Sequence, residues 1–89
     1  MAMPLAKEVL EDEVAVSLAR AVAAANERAR SEGIELKESL VTVSEEGSEN
    51  EFFWRINYGP RNYIARRGGD LVIEVGLTDA RIRRVWRGQ

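Results

Sequence analysis

The chain has 89 residues, neither cysteine nor histidine, and a formal net charge of −2. A chain this short forms one domain, residues 1–89, with a small core for its surface. The missing cysteines exclude disulfides, thiol nucleophiles and thiolate metal sites, and the missing histidines remove the commonest metal ligand and general base. Charge is unevenly spread: residues 1–50 hold five Lys/Arg against eleven Asp/Glu, whereas residues 51–89 hold eight Arg against four Asp/Glu. A basic second half of this kind is either compositional habit or a face built to meet an acidic partner. No basic segment leads into an apolar leader core and no run reaches membrane-spanning length, so a soluble cytoplasmic chain is expected.

Residues 4–32 carry a helical pattern. Leu10, Val14, Leu18, Ala21, Ala25 and Ala29 recur at spacings of three and four, an apolar stripe of helical period. Pro4 suits a first turn. Glu8, Glu11, Asp12 and Glu13 crowd the start while Arg28 and Arg30 sit at the end, in accord with the helix dipole. Gly33 fits a left-handed stop, with Ile34 folding back on Ala29. The small residues from Ala21 to Ala25 leave room for something large to lie across the helix.

Beyond Gly33 the period becomes two. Strands are expected at about 35–44, 50–58, 70–76 and 81–87, and a phase shift between Leu40 and Val41 predicts a bulge there. "EEGSEN" reads as a polar turn and "GLTD" as another. In the second strand Phe52, Trp54, Ile56 and Tyr58 share one face, and Phe53, Arg55 and Asn57 the other. The fold class is therefore α+β: one long N-terminal helix packed on one face of a three- to four-stranded antiparallel meander.

The ending "GGDLVIEVGLTDARIRRVWRGQ" runs through a glycine pair (Gly68, Gly69), an apolar strand (Leu71 to Val75), a turn, a strand holding Ile82 and Val85, and a terminal Gly88-Gln89. It resembles the endings of PepSY-type domains and of small bacterial immunity proteins of the nuclear-transport-factor-like class, and the whole arrangement resembles the cystatin-like roll. Gly76 stands where an Asp is usual and Ala80 where the turn glycine is usual. The resemblance covers roughly a quarter of the chain. It implies a small accessory or inhibitory binding module, with no catalytic residues to carry over.

The residues themselves offer little chemistry. Glu45, Glu46, Glu49 and Glu51 cluster by one turn, as solvated loops do, and Ser44 and Ser48 have no histidine to activate them. "SEEGSENE" is rich in oxygen but lacks the register of a calcium loop. Neither catalysis, a cofactor, a metal ion nor a small-molecule substrate is expected. "NYGPRNYIARRGGD" concentrates a basic loop, Arg61, Tyr63, Arg66 and Arg67, but its glycines lead into a strand, where a phosphate cradle needs a helix N-terminus. The sheet face away from the helix is expected to present Phe53, Arg55, Val72, Arg83, Val85 and Arg87 around Glu74, an apolar centre with an arginine rim. That composition predicts a protein partner or a homodimer. The alternative is an Arg-mediated nucleic-acid binder stacking bases on Tyr63 and Trp86, which the acidic first half opposes.

Overall fold

The structure is a computed structural model that describes residues 6–61 and 70–88, the side chain of Ser48 excepted. In chain order it contains α1 (Lys7–Leu10), α2 (Glu13–Ser31), a short 3₁₀ turn (Leu36–Glu38), β1 (Ser39–Ser48), β2 (Glu51–Pro60), β3 (Leu71–Gly76) and β4 (Ile82–Arg87). The strands form one antiparallel sheet in sequence order, β1-β2-β3-β4. With α2 on one face this is the expected α+β architecture, and its shortest dimension is 21 Å, the depth of two layers.

The apolar stripe of the helix is real over most of its length. Ala21, Ala25 and Ala29 are fully buried and touch a sheet layer of Trp54, Ile56 and Tyr58 from β2 with Leu71, Ile73 and Val75 from β3. Methyl side chains on the helix let its backbone approach the large residues of the sheet closely, which fills the core at native density. Two polar contacts fix the crossing. The Trp54 indole N–H donates to Ser17 Oγ at 2.9 Å, and the Tyr58 hydroxyl donates to Asn26 Oδ1 at 2.7 Å.

Both helix ends follow from side-chain chemistry. At the start, Asp12 has extended backbone and its Oδ1 accepts from the amides of Val14 and Ala15, both at 3.0 Å. This N-cap divides the expected helix in two, because the Asp side chain satisfies the first free amides of α2 instead of letting the turn continue. Leu10 and Val14, expected in the buried stripe, are consequently 59% and 64% exposed. At the end, Gly33 has φ of 88°, its amide donates to Arg30 O and the Ile34 amide donates to Ala29 O. That pair of bonds is the Schellman closure predicted for Gly33.

The strands match expectation in number and order but differ at three places. No bulge occurs at Leu40 and Val41; the β1–β2 register is unbroken from Ser39 opposite Pro60 to Ser48 opposite Glu51. "EEGS" continues β1, so only Glu49 and Asn50 turn the chain, and the Phe52 ring lies over Gly47, whose missing side chain makes the room. The bulge lies instead between β3 and β4, where the register shifts after Glu74 opposite Arg84 to Val75 opposite Ile82. The β3–β4 turn also places Ala80 at φ 54°, the left-handed region, at the position where the resembled pattern usually has glycine. No helix among the described residues is long and apolar enough to cross a membrane.

Gly33→Ala is expected to destabilise the fold by about 1 kcal/mol through backbone conformation alone, since the added methyl would meet nothing within 4 Å. Denaturant titration checks this, and an unchanged midpoint would count against a left-handed stop. Burial pushes the Tyr58 hydroxyl up from 10.0 to about 12, with the nearby Arg30 guanidinium pulling the other way. The unfolded chain therefore releases this proton first. Its contribution should be constant below pH 10.0 and fall by about 2–3 kcal/mol as pH rises through about 12. The stability difference between wild type and Tyr58→Phe, which lacks the Asn26 hydrogen bond at every pH, should be constant below pH 10.0 and change only in that alkaline window.

Candidate interaction face of the sheet

The face of the sheet away from α2 has no covering layer among the described residues, and the register arranges it in three cross-strand rows. The first runs Glu46, Phe53, Gly76; the second Ser44, Arg55, Glu74, Arg84; the third Thr42, Asn57, Val72, Trp86. Period two on β2 and β3 places these residues opposite the core-facing set.

On β4 the bulge changes the phase, and here the expectation fails for two residues. Ile82 and Val85 both pack towards the core, so Val85 is absent from the outer face. Arg87 pairs with Leu71, and its guanidinium donates to Glu32 O at the end of α2 at 3.0 Å. The extra residue between Ile82 and Arg84 sends Arg83, Arg84 and Trp86 outward instead. Phe53, Arg55, Val72 and Arg83 lie on this outer face. Arg84, Trp86 and Glu46 join them without having been assigned to the site. The spacing of three between Ile82 and Val85 was the available signal, because two inward residues three apart require a bulge.

Long side chains roof this face. The Arg83 guanidinium carbon stands 4.3 Å from the Phe53 ring centre, Arg84 stands 4.4 Å from Trp86 and Arg55 stands 5.6 Å from Trp86. Arg83 also pairs with Glu51. Beneath the roof, Val72 is 7% exposed and Glu74 only 4%. A carboxylate so buried needs a partner, and Arg55 Nη2 supplies one at 3.4 Å. The Arg55 side chain is 41% exposed, yet its Nε is buried without a hydrogen-bond partner among the described residues. Asn57 Nδ2 donates to Asp70 Oδ2 at 2.7 Å and Ser44 Oγ donates to Glu46 Oε2 at 2.8 Å. Across the face, Glu46 marks an acidic flank on β1, and Arg83 and Arg84 a basic flank on β4.

The basic loop is only partly in view. Arg61 donates from Nη2 to Ser39 O at 3.0 Å, which ties it to the start of β1, and Tyr63, Arg66 and Arg67 lie outside the described residues. No group of three or more acidic side chains among the described residues is placed to hold a metal ion. No family model, curated protein or solved structure matches the chain.

The Arg55–Glu74 pair can be tested directly. Arg55→Ala leaves Glu74 buried beside fewer donors and should cost about 1–3 kcal/mol. Adding Glu74→Val should recover most of that loss, since it removes the buried carboxylate that Arg55→Ala leaves without its partner. Denaturation of the single and double variants measures the difference; equal stability of both would show that the pair is not coupled.

Proposed function

We propose that this chain is a non-catalytic protein-binding module, of the small accessory kind implied by its resemblance to cystatin-like and nuclear-transport-factor-like rolls, and that it self-associates through the outer sheet face. The observation that carries the reading is the charge order along the rows. A two-fold axis parallel to the strands would lay β1 of one copy over β4 of its partner while keeping each row level with itself. Glu46 would then face Arg83, and Arg55 would face Glu74, both twice, as an isologous interface requires. In the first row Phe53 would face Gly76, over which the Asp79 carboxylate lies.

Several properties support this use of the face. Phe53, Trp86 and three arginines are the residue types that carry binding energy in protein interfaces. Two of the arginines already pair with Glu51 and Glu74, a partial neutralisation that suits a protein surface better than the polyanion of the nucleic-acid alternative. With neither His nor Cys in the chain, the usual nucleophile and base pairings are missing, in agreement with binding as the activity. The cysteine-free composition also agrees with a cytoplasmic setting.

The footprint of four short strands lies at the low end for stable pairs, so dissociation in the micromolar range is expected. Sedimentation equilibrium decides the reading. Phe53→Glu, Glu46→Arg and Arg83→Glu should each weaken the dimer by about tenfold or more, a loss above ~1.4 kcal/mol, with helix content unchanged. The double swap Glu46→Arg/Arg83→Glu should restore most of it. A wild-type monomer throughout, or a double swap no tighter than either single, would overturn the interface. Tight, salt-dependent binding to duplex DNA by that monomer would favour the alternative.

A further inference from the structure

The helix side carries a second surface. The break at Asp12 leaves Leu10 and Val14 without cover, and between them and the sheet opens a groove of about 520 Å³. Its apolar walls are Leu10, Val14, Trp54 and Leu77. Its rim bears three carboxylates, Glu11, Glu13 and Glu45, against one guanidinium, Arg20.

The floor makes no polar demand. Trp54 Nε1 donates to Ser17 Oγ at 2.9 Å, and the Ser17 hydroxyl donates in turn to Leu77 O at 2.7 Å. Both polar side chains are therefore satisfied before anything enters. What remains for recognition is apolar contact inside and negative charge at the edge. The volume falls within the range of ligand sites and admits one or two large side chains.

We propose that this groove docks a short segment of a partner protein that offers a large apolar side chain flanked by Lys or Arg. Charge complementarity selects the flanks: a cationic side chain beside the anchor meets the carboxylate rim, and an acidic one is repelled. The apolar walls select the anchor, since Leu10 and Val14 lose solvent only when something covers them. Among the described residues the apolar, arginine-rich run is β4, which is already hydrogen-bonded to β3 with Trp86 on the opposite face, so the segment is sought in a partner chain. The site lies on the other side of the sheet from the proposed dimer face and is accessible in monomer and dimer alike.

The chain's two tryptophans report the two faces separately: Trp54 borders the groove, and Trp86 lies on the outer face. The experiment titrates the ¹⁵N-labelled full chain with acetyl-Lys-Leu-Leu-Lys-amide, with its Glu-Leu-Leu-Glu counterpart and with a Gln-flanked control. The indole N–H resonances are followed, together with those of Glu13→Lys/Glu45→Lys, whose changes fall on exposed positions. The Lys peptide should shift Trp54 and not Trp86, and should bind about tenfold more tightly than the Glu peptide; the rim reversal should invert that preference. Equal binding of all three peptides, or no Trp54 shift with any, would overturn the proposal. So would a Trp54 shift on dilution without peptide, which gives the groove to a second copy. Binding seen only after deletion of residues 1–5 would give it to the chain itself. The dimer proposal stands or falls separately, on sedimentation.

Discussion

One helix cannot cover four strands. A helix with its side chains is about 10 Å across, and strands lie about 4.8 Å apart, so a single helix shields roughly two of them. Here those two are β2 and β3, and Trp54, Ile56, Tyr58, Leu71, Ile73 and Val75 form the sheet side of the core. The alanines at 21, 25 and 29 permit the close approach that makes so narrow a contact dense enough to hold. The outer strands receive less. On β1, Val41 and Val43 point to the helix side yet stay 39% and 38% exposed, and on β4 Ile82 and Val85 are only partly covered.

The same constraint leaves the far face of the sheet without a second layer, and the chain meets it with side chains rather than with another element. Arginines laid over Phe53 and Trp86 bury Val72 and Glu74 beneath aliphatic stems and aromatic rings. Snorkelling of this kind keeps guanidinium groups wet while their methylenes cover apolar surface. It also produces a face that is sticky in a specific way, with cations held over rings, a carboxylate buried under them and acid on the opposite flank. A face with that pattern is defined by charge order as well as by area, the feature on which the proposed two-fold pairing rests.

Much of this was legible because local chemistry and burial agree where the core is. Gly33 stops the helix because only glycine sits comfortably at positive φ, and β2 alternates because one face is dry and the other is not. Legibility fails where both sides are wet or where a side chain competes with the backbone. On β1, an edge strand, apolar residues no longer track burial, so the Leu40–Val41 step resembled a bulge and "EEGS" resembled a turn. At Asp12 the apolar stripe runs straight through a break that a single carboxylate imposes. On β4 the bulge reassigns Val85, Arg87, Arg84 and Trp86 at once, since one inserted residue moves every later side chain to the other face.

β2 is the wall shared by both proposed surfaces. Trp54 borders the groove, while its neighbours Phe53 and Arg55 point to the outer face, so consecutive residues serve opposite sides of one sheet. Hydrogen-bonded on both edges, to β1 and β3, this strand has little freedom to transmit a displacement, and the indole of Trp54 is further held through Ser17 to Leu77. Sites divided by such a wall act independently, their energies adding because no side chain is common to both. A copy paired through its outer face would still present an open groove on its helix side, and the pair would present two, facing away from each other. Two weak grooves on one rigid dimer bind a partner that carries two matching segments far more tightly than either groove alone. On this geometry the small core of the single chain has a counterpart outside it: the surfaces its one helix cannot cover are the two on which the proposed docking would take place.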